Sequence, residues 1–184
     1  MRDEQPQQKY QVRFDWGLAG FQALSGQADV VILADALPWT DAEHGYPTTL
    51  AAHQVISAGL NNRTAVAEWV LARQAEKGER FAVAVIAVGE RRPDGTPRCA
   101  VEDLLVAGAV IDALSSLGID HCSPEAAAAS ASFVGLQGAL RHLTGASETG
   151  QALAAAGRQY EVAAAGRLDD STTVVALGEF TFPA

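Results

Sequence analysis

Three carboxylates and three arginines stand where an α/β protein keeps its chemistry. Asp35 lies near the end of Asp29–Leu37 (DVVILADAL), a β-branched run that reads as a buried strand closed by Pro38. A second apolar run, Phe81–Val88 (FAVAVIAV), leads into the polar loop GERRPDGTPR. That loop carries Arg91, Arg92 and Arg98, and a helix follows it with Glu102 and Asp103 in the first turn. Sites in open α/β sheets gather at the carboxyl ends of the strands. Carboxylates are hard oxygen ligands of the kind Mg²⁺ takes, water and substrate phosphate completing its shell. Arginine offers a fork of donors for phosphate, sulfonate or carboxylate. Asp35, Glu102 and Asp103 are therefore candidate Mg²⁺ ligands, and Arg91, Arg92 and Arg98 candidate contacts to an anionic substrate.

Each residue has a plainer reading. Acids in a first helical turn favour the macrodipole by ~0.3–1 kcal/mol each. Asp35 suits a turn or a helix cap, and arginines in a Gly/Pro loop are commonly solvated. Asn62 suits the N-cap of the helix that follows it. Trp16, Trp39 and Trp69 read as packing residues, and His121 and Cys122 as filler.

Familiar motifs are excluded one by one. Gly145–Gln151 (GASETGQ) approaches a P-loop but has glutamine where the lysine belongs. Neither Cys99 nor Cys122 opens a C-x5-R loop, since Leu105 and Ala128 stand where the arginine would. Leu37 stands where an aspartyl-phosphatase strand has its second aspartate. There is no G-x-S-x-G elbow and no G-x-G-x-x-G turn. His44, His53, His121 and His142 show no i,i+4 pairing, which argues against zinc.

The elements that must position these groups follow from periodicity. Tyr10–Phe14 predicts a strand, Leu18–Leu24 a short helix, and Trp39–Pro47 a loop. Helices are predicted over Thr48–Ser57, from about Asn62 to Gly78, and over Val101–Leu117. Ser123-Pro124-Glu125 opens another that runs to about Leu143, and a shorter one follows over Ser147–Ala156. Gln159–Leu168 is ambiguous, and Thr172–Phe182 predicts one or two strands. Strands alternating with helices predict an α/β class. The expected architecture is a layered α/β/α arrangement with a mostly parallel or mixed sheet and a helix-rich C-terminal half. Residues 1–9 read as a polar N-terminal tail and 10–184 as a single domain.

The 184 residues are 48% apolar and 19% charged, ample for a real core. With 13 basic and 22 acidic residues the net charge is −9, which disfavours binding to a phosphate backbone. Two cysteines are too few for a disulfide framework. The N-terminus shows no signal-peptide pattern, and no apolar run nears the ~20 residues of a membrane span. The expected setting is cytoplasmic, with neither nucleic acid nor membrane as partner.

Several blocks resemble the 2-phosphosulfolactate phosphatase family in its high-GC bacterial form. They are YQVRFDWGLAGFQAL…ADVVILADAL, AGLNNRTAVAEWV, VGERRPDGTPRCAVEDLLVAGAVIDAL, SPEAAAASASF and ALAAAGRQYEVAAAGRLDDS. The resemblance implies a layered α/β fold and Mg²⁺-dependent hydrolysis of 2-phosphosulfolactate to sulfolactate and phosphate. It places Asp35 at the family's strand-end aspartate and Asn62 at the asparagine before the A-V-A helix. Glu102 and Asp103 take the Glu-Asp pair, and Gly108 the close-packing glycine. Two departures mark a shortened member. Pro38 replaces a polar residue, and only the 26 residues 36–61 separate Asp35 from Asn62, where the family has a longer segment with an N-G-T or N-G-S motif.

The combined reading is a Mg²⁺-dependent phosphatase acting on a small anionic phosphoester. Asp35 and Asn62 would be catalytic; Asp35, Glu102 and Asp103 would hold the metal; the three arginines would bind substrate. The alternatives are a hydrolase of a different phosphoester, and an inactive descendant that binds an anion or a protein. A shortened sheet also exposes surface, so a homo-oligomer is expected.

Overall fold

The computed structural model describes residues 6–37, 54–92 and 94–177. The chain forms β1 (Val12–Trp16), α1 (Gly17–Leu24), β2 (Val30–Ala34), β3 (Gln54–Ala58), α2 (Arg63–Lys77) and β4 (Val83–Ala87). A hairpin of β5 (Glu90–Arg91) and β6 (Pro97–Arg98) precedes α3 (Val101–Ser116). Then come α4 (Pro124–Leu136), α5 (Leu140–Ala146), α6 (Glu148–Ala155), α7 (Gln159–Ala165) and β7 (Val175–Ala176).

The sheet runs β1-β4-β2-β3-β7, with the first four strands parallel and β7 antiparallel to β3. Its register is flush: Ala34 pairs with both Ala58 and Ala87, and Ala87 with Trp16. The residues that leave the strands, Gly17, Val88, Asp35 and Gly59, therefore form one rim. Both faces are covered, which is why β2 and β4 are apolar throughout instead of alternating. Val30, Ile32, Val83, Val85 and Ile56 share a core with α2, α3 and α4. Val31, Leu33, Val55, Ala84 and Ile86 pack with Phe21 and Leu24 of α1. The step from β1 to β2 and the step from β3 to β4 run in opposite directions across the sheet, so right-handed crossovers place α1 and α2 on opposite faces. The layered α/β arrangement with a mostly parallel sheet is thus as expected.

Local departures have local causes. The segment read as a helix over Thr48–Ser57 contains β3, because Val55 and Ile56 are β-branched and pair with Val31 and Ile32; residues 48–53 lie outside the described residues. The helix expected to reach Leu143 breaks into α4 and α5 around Gly135 and Gly138. The ambiguous stretch is α7, stopped at Gly166, and the polar loop forms the β5–β6 hairpin. Of the C-terminal strands, two residues form β7, and 178–184 lie outside the described residues, as does the loop at Trp39–Pro47.

The polar tail is docked through Gln7 and Gln8. The Gln7 amide donates to the Phe14 carbonyl and accepts the Phe14 N–H, at 2.9 and 3.0 Å. Buried Arg13 donates to the carbonyls of Tyr10, Gln8 and Gln27. No helix among the described residues is long and apolar enough to cross a membrane.

The α3–α4 contact needs a glycine. A Cβ on Gly108 would overlap the Ala129 carbonyl oxygen and stand 2.9 Å from Phe133 Cβ. Replacing a helical glycine by alanine normally stabilises by about 1 kcal/mol. Here Gly108→Ala should instead destabilise by about 1–3 kcal/mol through overpacking. A urea titration checks this, and a midpoint that rises would show that the helices do not close on each other there.

Candidate active site

Asp35 sits on the rim one residue past β2. Its N–H continues the ladder to the Ala58 carbonyl at 3.1 Å, and its Oδ1 accepts the Leu37 N–H at 3.1 Å. It opens on a cleft of about 380 Å³ whose polar lining includes Asp35, Ser57, Asn61, Asn62, Glu161 and Thr173. The strand ends supply one wall, α6 and α7 a second, and the segment from Ser171 to Val175 a third.

Asp103 stands behind this rim. It enters in the first turn of α3, 3% exposed, and its two oxygens accept from different strand ends. Oδ1 takes the Ala36 N–H at 2.9 Å and Oδ2 the Gly89 N–H at 2.8 Å, which ties the exits of β2 and β4 together. Gly89 allows this with φ +68°, and a Cβ there would stand 2.9 Å from the Arg98 carbonyl. Burial pushes the Asp103 carboxyl well above the usual range, and the charges of Asp35 and Glu102 add to the rise. The two backbone N–H groups pull the other way.

Glu102 faces elsewhere. It is 1% exposed, and among the described residues neither carboxylate oxygen accepts a hydrogen bond. Its nearest cation is Arg98, with Nη2 3.8 Å from Oε1. The Arg98 guanidinium also donates to Thr149 Oγ1 at 2.9 Å and lies 3.5 Å from Glu148. Arg91 and Arg92 are exposed and donate to Gly95 and Pro97 carbonyls of their own hairpin. None of the three arginines lines the Asp35 cleft.

Asn62 lines the cleft but does not cap α2. Its Oδ1 reaches back to the Gly59 N–H at 2.9 Å and its Nδ2 donates to the Thr173 carbonyl at 2.9 Å. It thereby fixes the turn after β3 to the third wall. The cap of α2 comes from Asp169, whose Oδ1 accepts the Thr64 N–H at 3.0 Å and whose Oδ2 accepts Arg63 Nε at 3.0 Å. Arg63 continues to Asp112 of α3 at 3.1 Å and lies over the Phe133 ring, 5.0 Å from its centroid. Sequence reasoning missed both residues. The signal was faint: an arginine after a capping-type asparagine, and a distant Leu-Asp-Asp turn.

The model of the 2-phosphosulpholactate phosphatase family matches residues 45–179, about three quarters of the chain. The chain belongs to the 2-phosphosulpholactate phosphatase family. No curated protein matches it. The family match spans Asn62, Arg91, Arg92, Arg98, Glu102 and Asp103, together with Arg63 and Asp169; Asp35 precedes it. The matched region is thus narrower than the blocks from Tyr10 onward that carry the resemblance in sequence.

The fold brings Asp35, Asn62 and Asp103 to one rim and leaves Glu102 and the arginines on the α6 side or on the hairpin. Among the described residues no three His, Cys, Asp or Glu side chains form a metal-binding group. A protein cage is therefore absent from this part of the molecule. Mg²⁺ held by one or two carboxylates, its remaining sites filled by water and phosphate, needs no such cage. Asp35, on the cleft, fits that mode as the single carboxylate, with Asp103 fixing the backbone behind it.

Two measurements test this geometry. Asp103→Ala leaves two N–H groups unsatisfied and should cost about 2 kcal/mol of unfolding free energy in EDTA. A carboxylate that served only as a metal ligand would cost nothing without metal. Asp169 gives a pH signature. Burial pushes its carboxyl up, but the Thr64 N–H and Arg63 outweigh it and leave the group below its ordinary value. Its contribution is therefore present above the unfolded carboxylate pKa of about 3.9 and lost as pH falls through the lower folded value. Asp169→Asn, which tolerates the backbone φ of +53°, should be less stable than wild type at pH 7. Urea midpoints of the two should converge on acidification, and a gap constant with pH would exclude the ionised contact.

Proposed function

We propose that the protein is a Mg²⁺-dependent phosphomonoesterase acting on a small anionic hydroxy-acid ester, of which 2-phosphosulpholactate is the substrate its family is named for. The observation that carries this reading is the strand-end carboxylate Asp35, open to a polar cleft and backed by a second carboxylate, Asp103. Asp35 would hold the ion, and Asp103 behind it would fix the backbone that presents it. When bound, the ion would neutralise phosphoryl charge and lower the pKa of a water. Ser57, Asn61 and Thr173 offer neutral hydrogen-bonding groups around the ester, suited to orienting an anion without adding charge. Asn62 keeps the role of positioning the wall it fastens. Asp103 sets the backbone that presents Asp35, so both act through other groups.

A second reading is favoured by a specific feature. Asn62 and Asp103 spend their hydrogen bonds on backbone groups, and Arg91, Arg92 and Arg98 lie outside the cleft. That pattern suits a descendant that keeps the pocket as an anion-binding module without turnover.

Phosphate release from 2-phosphosulpholactate and from a panel of phosphomonoesters, in Mg²⁺ and in EDTA, separates the two. The phosphatase reading expects metal-dependent turnover that falls by about 100-fold or more in Asp35→Asn. No turnover of any ester by folded wild type with Mg²⁺ or Mn²⁺ supports the binding module instead.

A further inference from the structure

The Asp35 cleft must hold a small anion without lysine or arginine, since among the described residues neither lines it. Asp35 and Glu161, which do, are carboxylates, and the chain as a whole carries −9. A bound ion offsets such charge, but the anion's remaining oxygens then need neutral donors. Two adjacent asparagines reach this wall, and the fold treats them differently. Both polar atoms of buried Asn62 are taken, Oδ1 by the Gly59 N–H and Nδ2 by the Thr173 carbonyl. The half-buried Asn61 side chain lines the cleft and has no hydrogen-bond partner among the described residues.

We propose that Asn61 is the ligand-contacting amide of the cleft, donating to an oxygen of a bound phosphate group. The inference deepens the proposed function and rests on its reading of the cleft as an anion site.

Three features suit Asn61 to this contact. Its backbone is fixed, because it sits in the 3₁₀ turn Leu60–Asn62 after β3 and its carbonyl accepts the Ser171 N–H at 2.9 Å. Its amide has a reserved place. A Cβ on Gly59 would stand 2.8 Å from Asn61 Oδ1 and 3.9 Å from the Asp35 carbonyl. Gly59 has φ −123°, which any residue adopts, so it is room for the amide and not backbone conformation that calls for glycine. The chemistry also fits. A primary amide presents two N–H donors in one plane, where the hydroxyls of Ser57 and Thr173 present one each.

The test is binding of inorganic phosphate in Mg²⁺, measured by calorimetry on the full chain. Asn61→Ala should weaken binding about tenfold. Its melting temperature should stay within about two degrees of wild type, because the amide ties nothing else in the fold. Asn61→Asp, which keeps the shape but adds a third carboxylate to the cleft, should weaken binding further. Gly59→Ala, which crowds the amide without altering it, should weaken binding in wild type and add little in Asn61→Ala. Equal affinity in wild type and Asn61→Ala, with loss in Asp35→Asn, overturns the assignment and leaves the cleft as the anion site. Equal affinity in all three, or wild type that binds no phosphate at millimolar concentration, overturns both. Asn61-dependent binding without turnover of any ester upholds the assignment and overturns the catalytic reading alone.

Discussion

The rim of this sheet depends on one buried carboxylate. Parallel strands end with N–H groups that their neighbours do not satisfy, and a compact α/β domain must supply acceptors for them. Asp103 supplies two at once, taking Ala36 N–H after β2 and Gly89 N–H just beyond β4. The geometry works because α3 starts beneath the rim and because Gly89 adopts a left-handed turn against the Arg98 carbonyl. Placing a carboxylate there is costly. Burial and the nearby charge of Asp35 oppose its ionisation. The arrangement therefore couples backbone geometry at the rim to charge in the cleft, since whatever neutralises Asp35 also relieves Asp103.

The rest of the fold is arranged to keep α3 in that position. Its buried residues run from Leu105 through Leu114 against the sheet, α2 and α4. Gly108 lets α4 approach so closely that backbone meets backbone. Arg63 then crosses from the start of α2 to Asp112 on α3, Asp169 in the C-terminal segment and the Phe133 ring on α4. One side chain thus registers three helices and the segment that becomes the third wall of the cleft. Polar ties of this kind add directional contacts to an apolar core and specify which helix meets which.

Much of this was legible in the sequence, for identifiable reasons. β2 and β4 are buried on both faces, so their runs were continuous and their strand ends, Asp35 and Gly89, could be placed on one rim. The Ser123-Pro124 start of α4 carried a local signal that the structure repeats, and the family resemblance pointed to the close packing at Gly108. β3 was not legible as a strand, because its partner lies elsewhere in the sequence and only pairing to β2 decides between helix and strand for a short segment. The capping of α2 was misassigned for the same reason. Asn62 is the right residue type in the right place, yet its amide is drawn to Gly59 and Thr173, and the cap arrives from Asp169, 105 residues away from Thr64. The backbone role of Asp103 was not legible, since nothing in VEDLL announces two N–H groups converging on it.

The fate of the arginines shows how competing demands shape the site. Sequence assigns charge to substrate because arginines near a strand end are the ready anion receptors. The folded chain has prior claims on them. Buried Glu102 has no hydrogen-bond donor among the described residues, so the cation beside it, Arg98, offsets a charge that would otherwise be very costly. Arg63 is likewise committed between two structural aspartates. Arg63 and Arg98 hold the architecture together, and neither lines the polar cleft at Asp35.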